Sequence, residues 1–456
     1  MAKKKLKVLD LFAGAGGFSL GFDLVRDNNG DRVYEIVLAV ENDRYACQTL
    51  KKYFSREYGN ENIVLEADLT DENTHEKIIE LCRDKVDVMI GGPPCQSFSL
   101  IGPRSGNGNG KNNSKYAILD KFYIEYVKLV KKLRPSFIIF ENVRGIISKK
   151  DGRNRRYIDI ISSDFRKLGY NFNSENGDVK TDYLILNAAD YGVPQTRQRV
   201  FLIGNNLGIP NPYPERTHYD PKRVNVNPEN TGGFSEYITL HQAIGDLPRV
   251  RPKITYTDIG RSWKKRIALR NRKIFNGKDR MDYHGKNFRE HHQTVSKAGK
   301  RFLEFVRPYK IRYLTHHVAR SQKRDDILLF RGMKQGMRAG DIFKEKGKNI
   351  RRLRKLIKYN MASFKDKYKK QSWDRPCSTV FAHLERDGNR FIHPDSRQAR
   401  TFTPREAARV QSFPDYYEFE GPLTKKFRQI GNAVPPLLAM RIGERLYYMV
   451  MNARGG

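Results

Sequence analysis

The sequence predicts an α/β fold: an open, mainly parallel sheet with helices on its faces, and a second, smaller domain later in the chain. Three stretches predict it. Val86 to Ile90 is a short, mostly apolar run, β-branched at three of five positions and closed by Gly91-Gly92. It reads as a buried parallel strand ending at a turn. Leu6 to Phe12 is another apolar run, followed at once by Ala13-Gly14-Ala15-Gly16-Gly17 and then by helical spacing from Phe18 to Val25. Strand, glycine turn and helix in that order let a nucleotide-like ligand approach backbone amides closely. Finally, the roughly 200 residues between Gly204 and Arg400 exceed what one sheet needs, and Pro210, Pro212 and Pro214 mark the entry to them.

The remaining sheet elements follow in order. Ile36 to Val40 reads as the second strand, with Glu41 at its tip, where a carboxylate suits a pair of ribose hydroxyls. Asp68 follows Ile63-Val64-Leu65 and marks the third tip, placed to accept from an adenine amino group. The glycine spacing is not Gly-x-Gly-x-x-Gly, so a dinucleotide site fits less well than an adenosine site without a pyrophosphate. After the fourth strand Pro93-Pro94 stiffen the corner that presents Cys95, with Gln96, Ser97 and Ser99 as polar neighbours. Open α/β sheets bind ligands at that edge, which makes the thiol a candidate nucleophile. Alone, a free cysteine is more often a small buried apolar side chain. Leu100 to Ser114, with four glycines among asparagines, reads as a mobile lid or as an inconsequential surface loop. Tyr116 to Leu133 is an amphipathic helix feeding a strand over Phe137 to Phe140, which ends in Glu141-Asn142-Val143. Glu141 there can act as a general acid if its surroundings keep it protonated. Tyr183 to Ala188 and Val200 to Gly204 are further strands. Arg197 and Arg199, two apart in an extended segment, share a face and suit an anionic substrate.

Composition narrows the partner. The 86 Lys and Arg against 51 Asp and Glu give a formal charge of +35, which points to a polyanion, nucleic acid being the commonest. A generally basic surface is the plainer alternative. Cys47, Cys82, Cys95 and Cys377 lie far apart without metal-ligand spacing, so neither a disulfide framework nor a zinc site is expected and a cytoplasmic setting fits. No secretory leader is expected from Met-Ala-Lys-Lys-Lys-Leu-Lys, and no apolar run approaches the length of a membrane span.

With these segments assembled, the chain resembles the DNA (cytosine-5) methyltransferase family, of the prokaryotic or phage restriction-modification type. Asp10 to Gly17 resembles the family's S-adenosylmethionine loop, and Gly92-Pro93-Pro94-Cys95-Gln96-Ser97-Phe98-Ser99 its catalytic segment. Glu141-Asn142-Val143 and Gln195 to Arg199 resemble the second and third catalytic segments. Thr403 to Pro414 and Gln429-Ile430-Gly431-Asn432-Ala433-Val434-Pro435-Pro436 complete the set in the usual order. The resemblance implies a Rossmann-like S-adenosylmethionine-dependent methyltransferase sheet with a smaller target-recognition domain. It implies a catalytic domain over residues 1–214, completed by 425–456, and a recognition domain over 215–424. It also implies Cys95 as nucleophile, Glu141 as the acid holding the base, and Arg197 as the group steadying the ring carbonyl oxygen, with Arg199 positioning it or the thiol. Cofactor contacts are implied at Phe12, Ala13, Gly14, Ala15, Gly16, Gly17, Glu41, Asn42, Asp68, Leu69, Pro93, Asn432 and Ala433. One departure stands out. Many members carry an arginine at the start of the helix after the loop, where this chain has Tyr116 to Phe122, so Phe122 is assigned by register alone.

The implied product is S-adenosyl-L-homocysteine, with no metal. The implied partner is double-stranded DNA, met by a monomer, with a restriction endonuclease of the same specificity as a possible companion. Gln96, Ser97, Ser99, Lys264, Lys265 and Arg266 are expected to face the DNA. Arg249 to Arg280 holds twelve Lys or Arg against two Asp, and Lys344 to Lys358 eight against one Glu. Ile350 to Ile357 has helical spacing, while Ser378 to His383 and Arg390 to His393 flank Asp387-Gly388 as a hairpin. His284, His291, His292, His316 and His317 read as surface or phosphate-contacting groups rather than metal ligands. Leu437 to Met449 reads as a closing helix. Two other functions compete: an RNA (tRNA) cytosine-5 methyltransferase, and an inactive DNA-binding scaffold. The long basic insertion favours DNA, and the intact Cys95, Glu141 and Arg197 favour an enzyme.

Overall fold

A computed structural model describes residues 4–82, 86–94, 113–173, 181–222, 233–254, 282–286, 296–309, 313–357, 359 and 367–455. The chain forms two compact units of similar length. The first comprises Met1–Tyr191, Arg197–Thr217 and Ala433–Gly456, and the second Gly192–Thr196 and His218–Asn432.

The first unit is built on a seven-stranded sheet. Its strands are β1 (Leu6–Leu11), β2 (Tyr34–Glu41), β3 (Val64–Glu66), β4 (Val88–Gly91), β5 (Phe137–Val143), β6 (Leu184–Asn187) and β7 (Gln198–Asn205), in the order β3-β2-β1-β4-β5-β7-β6. The first five pair in parallel. Strand β7 runs antiparallel to both β5 and β6. The short link from β6 to β7 dictates this, because a parallel return needs a crossover of a dozen residues or more. The strands carry near-continuous apolar runs, as expected of a sheet buried on both faces. Leu9, Leu11, Val40, Met89, Ile138, Phe140 and Leu202 form its core with Tyr126 and Phe165.

Helix α1 (Gly17–Asp23) lies against the closing helix Pro436–Gly455. A Cβ on Gly17 would stand 2.1 Å from the Val434 carbonyl oxygen, and one on Gly21 2.4 Å from Ala439 Cβ. Two glycines four apart clear one helix face, so here the backbones touch. The Tyr34 hydroxyl, donating to the Gly443 carbonyl at 2.7 Å, pins the same helix. No described helix is long and apolar enough to cross a membrane.

Several expectations are revised. β5 continues to Val143, past Phe140, because Glu141 to Val143 pair with Phe201 to Arg199 of β7. Glu141 therefore sits inside a strand rather than beyond its tip. The hairpin expected about Asp387-Gly388 does not form. Ser378 pairs in parallel with Thr196, Ala382–Glu385 is a short 3-10 helix, and Ile392 bridges to Lys370 and Thr401. Each extended piece finds a partner elsewhere in the chain. The helix read over Ile350 to Ile357 runs Lys348–Leu356 and buries Leu353, leaving Lys348, Arg351, Arg352 and Lys355 exposed. His317 is fully buried rather than at the surface, bonded to Thr403 Oγ1 at 3.0 Å and the Pro248 carbonyl at 2.7 Å.

Candidate active site

The glycine turn after β1 is the first component. Phe12 adopts a positive φ of 58°, as do Gly14 (56°) and Gly16 (74°). A bulky residue in this conformation marks a turn under constraint. Asp10 supplies part of that constraint. Its buried carboxylate accepts from the Ser19 backbone N–H at 3.2 Å and from Ser19 Oγ at 2.5 Å. It thus caps the start of α1, whose own N-cap, Gly16, has no side chain to do so. Burial pushes Asp10 up to about 7, against the pull of the Ser19 bonds.

Glu41 supplies the rest. Its carboxylate accepts from the backbone N–H of Gly14 at 2.8 Å, Asn42 at 3.0 Å and Asp43 at 2.8 Å. The tip of β2 and the glycine turn are therefore one hydrogen-bonded body. Burial raises the Glu41 carboxyl, and the three N–H donors oppose that rise. Asp68 is exposed and accepts from Thr70 N and Oγ1, both at 2.9 Å. Leu69 is buried, and His75 Nε2 donates to its carbonyl at 2.9 Å. The Phe12 and Phe122 rings meet edge to face at 5.7 Å. Among the implied cofactor residues, Ala433 lies beside Gly17, 3.2 Å from where a Cβ there would stand. Asn432 ends the helix Leu423–Asn432 in the second unit.

The end of β4 faces β5. A Cβ on Gly91 would stand 2.8 Å from the Leu11 carbonyl, and one on Gly92 2.9 Å from Glu141 Oε2. The glycine pair that signals the turn in the sequence is thus a steric requirement: at Gly92 the carboxylate fills the space. Asn142 Nδ2 reaches the Pro93 carbonyl at 3.5 Å, tying the start of the Pro-Pro segment to β5. Sequence reasoning passed over the roles of Asp10, Gly92 and Asn142. A lone acid in an apolar strand was the one local signal for the first.

Glu141, on β5, is buried and ion-paired with Arg199 Nε of β7 at 3.1 Å. Arg199 pairs with Val143 and Phe201 with Glu141, so the two charged residues are diagonal neighbours on one face. Arg197 is 1% exposed. Burial raises the Glu141 carboxyl above its ordinary range, and the charges of Arg199 and then Arg197 pull it back. Burial thus makes this carboxyl easier to protonate than an exposed one, while the two guanidinium charges favour its ionised form. Cys95, Gln96, Ser97 and Ser99, the stretch read as a lid up to residue 112, and Lys264, Lys265 and Arg266 lie outside the described residues. No cluster of three or more metal-ligating side chains occurs among the described residues.

An open sheet with an antiparallel strand inserted before its edge, a glycine turn locked to a carboxylate on the next strand, and a buried acid paired with an arginine are features compatible with a methyltransferase dependent on S-adenosylmethionine. A model of the C-5 cytosine-specific DNA methylase family matches residues 6–448, and the chain belongs to that family. It is similar to the type II methyltransferase M.DdeI of Desulfomicrobium norvegicum, at 32% identity over 98% of this chain and 90% of that one. It is also similar to M.Bpa9945I of Bacillus paralicheniformis, at 28% identity over 95% and 96%. Among solved structures, a candidate DNA modification methyltransferase encoded within an E. coli prophage shares the fold, with a TM-score of 0.59 and 20% identity over 98% of this chain and all of that one. The protein is a DNA (cytosine-5) methyltransferase.

Proposed function

We propose that the protein methylates carbon 5 of a cytosine turned out of a specific double-stranded DNA sequence, through a covalent adduct with Cys95. The residues at the β1 to β3 edge fit the cofactor. A Cβ on Gly14 would meet nothing within 4 Å, so the turn has open space beside it. Glu41 and Asp68 offer carboxylate acceptors of the kind that ribose hydroxyls and an adenine amino group require. Phe12, Leu69, Pro93 and Phe122 supply apolar contacts, and Ala13 to Gly17, Asn42, Asn432 and Ala433 complete the set. When bound, S-adenosylmethionine supplies an electrophilic methyl group and leaves as S-adenosyl-L-homocysteine.

The chain's own residues make carbon 5 reactive. The Cys95 thiolate adds to carbon 6 of the ring, and the electron pair displaced from the 5,6 double bond makes carbon 5 nucleophilic. Glu141 holds the ring nitrogen and amino edge and shares its proton as charge develops there. Arg197 steadies the ring carbonyl oxygen, and Arg199, paired to Glu141, sets the acid's position. After methylation, loss of the carbon-5 proton and departure of Cys95 restore the aromatic ring. Extruding the cytosine costs about a few kcal/mol, which contacts with the second unit repay. The exposed basic helix Lys348–Leu356 supports a duplex partner, and the type II relatives support a companion endonuclease of the same specificity. We take the protein to act as a monomer in the cytoplasm.

The observation that carries this reading is the buried Glu141 with Arg199 and Arg197 beside it, one strand from the segment that leads to Cys95. The test is Cys95→Ala. Bisulfite sequencing should find no methylated cytosine, and the trapped adduct with DNA containing 5-fluorocytosine should disappear, with cofactor affinity unchanged. Methylation by the variant would overturn the mechanism.

A further inference from the structure

Two of the segments shared with the family straddle the two units. Gln195-Thr196 belongs to the second unit and Arg197 to the first. Likewise Asn432 ends the second unit and Ala433 re-enters the first. On the catalytic side, one crossing leads straight into the arginine beside Glu141 and the other into the residues packed on Gly17 of the cofactor turn.

Inside the second unit both crossings are fastened to one buried side chain. Gln195 Nε2 donates to Gln411 Oε1 at 2.5 Å and to the Val410 carbonyl at 2.9 Å, and Gln195 Oε1 accepts from Val380 N at 3.0 Å. Gln411 Nε2 in turn donates to the Ile430 carbonyl at 2.6 Å. Gln195, Gln411 and Ile430 are all fully buried. Each crossing has a further anchor. Thr379 Oγ1 donates to the Thr196 carbonyl at 2.5 Å, and a Cβ on Gly431 would stand 2.4 Å from the Phe381 carbonyl carbon.

We propose that Gln411 is a positioning residue that joins the two crossings, so that cofactor binding and target-DNA binding strengthen one another. A primary amide carries a donor at one end and an acceptor at the other, and here each end serves a different crossing. An apolar side chain of the same length joins neither. A glutamate keeps the acceptor for Gln195 and loses the donor for Ile430. Because these groups are buried, a broken link is not replaced by water at low cost. The proposal rests on the methyltransferase reading. Its observable is the coupling between two ligands rather than turnover.

The experiment uses the full chain and a duplex carrying the sequence that bisulfite sequencing identifies as methylated. Duplex affinity is measured with and without saturating S-adenosylhomocysteine. In the wild type the nucleoside should tighten duplex binding by about tenfold. In Gln411→Met, and separately in Gln411→Glu, that ratio should fall to near one, while each ligand alone binds within about twofold of wild type. A folded variant that keeps the wild-type ratio overturns the proposal, as does a wild type without coupling or an equal loss of both single-ligand affinities. Tryptophan fluorescence reports whether a variant is folded; if Gln411→Met is not, Gln411→Glu, which keeps the acceptor for Gln195, decides. Failure of the underlying reading shows separately, as a wild type that leaves no methylated cytosine.

Discussion

The first unit buries one large aliphatic and aromatic core; the second has a smaller apolar cluster that includes Leu329, Phe330 and Ile392, and it also buries three arginines. Arg400 makes a two-pronged pair with Glu406 at 2.6 and 2.7 Å. Arg409 does the same with Asp415 at 2.5 and 2.8 Å and reaches Asp246 at 2.5 Å. Arg405 donates to the carbonyls of Thr315, Pro414 and Tyr417. All three are fully buried. The difference follows from the backbone each unit must satisfy. A sheet pairs its own N–H and C=O groups, so its core can be apolar. The second unit, as described, is short helices, two-stranded pairs and connecting segments, so more of its carbonyls need other donors, and a guanidinium supplies five in a fixed fork. Burying such charges adds little net stability, yet removing one partner is costly.

The largest effect should come from breaking those buried pairs. Arg409→Met takes from Asp246 and Asp415 their nearest guanidinium, leaving them only Arg307 at 3.1 Å and Arg405 at 3.8 Å, and should cost about 3–5 kcal/mol. Trp373 lies in the second unit, so urea unfolding followed by its fluorescence, in a Trp263→Phe background, reads that unit. Replacing Arg409, Asp246, Asp415 and Arg307 together by apolar residues, Arg307 because it pairs with Asp246 at 3.1 Å, should recover most of the loss. Failure to recover it would place the value of Arg409 in its bond to the Ala243 carbonyl at 3.2 Å.

In the first unit the corresponding probe is a charge at a strand end. Glu41→Ala should weaken S-adenosylmethionine binding by about 1.5–3 kcal/mol, measured by calorimetry, because it removes the proposed ribose acceptor and the bond that holds the Gly14 N–H. An unchanged affinity would move the ribose away from β2.

Acid should separate the units further. Burial lowers His317 to about 4 and His393 to about 3. Their contribution is present above the ordinary imidazole value of 6.5 and is lost as pH falls toward 4. Asp10 is shifted the other way, up to about 7, so its contribution is full below 3.8 and is lost as pH rises through 7. Between about pH 4 and 6.5 the two slopes oppose one another, each about 1.4 kcal/mol per pH unit for one proton. From about pH 6.5 to 5, tryptophan fluorescence should report a weaker second unit, while hydrogen exchange at β1 and α1 should report a firmer first one. Asp10→Asn should flatten only the latter. Two units that lose stability together would contradict the contrast.

The smallest effect per residue belongs to the exposed basic helix. Replacing Arg351, Arg352 and Lys355 by serine should weaken all duplexes alike and flatten the slope of log affinity against log salt by about 0.9 for each phosphate no longer neutralised. A weakening confined to the methylated sequence would instead make this helix a reader of bases. The same titration on Lys264, Lys265 and Arg266 ranks the two basic stretches.

What could be read from the sequence was whatever leaves a local pattern. Apolar runs located β1, β2, β4 and most of β5, and the glycine turn stood out because few residues tolerate the conformations of Gly14 and Gly16. The places of Glu41, Glu141 and Arg199 on β2, β5 and β7 were legible because each belongs to or adjoins a recognisable apolar run. The two extended pieces around Asp387-Gly388 show where this fails: each has local strand character, but the choice of partner was settled by Thr196, Lys370 and Thr401. The same holds for Gln195 and Gln411, which are 216 positions apart, and for the arginines of the second unit. Burial of an apolar side chain repeats with the period of its own strand or helix, whereas a hydrogen bond between distant segments has no period at all. The elements were therefore set by the sequence locally, and the joints between them by tertiary structure alone.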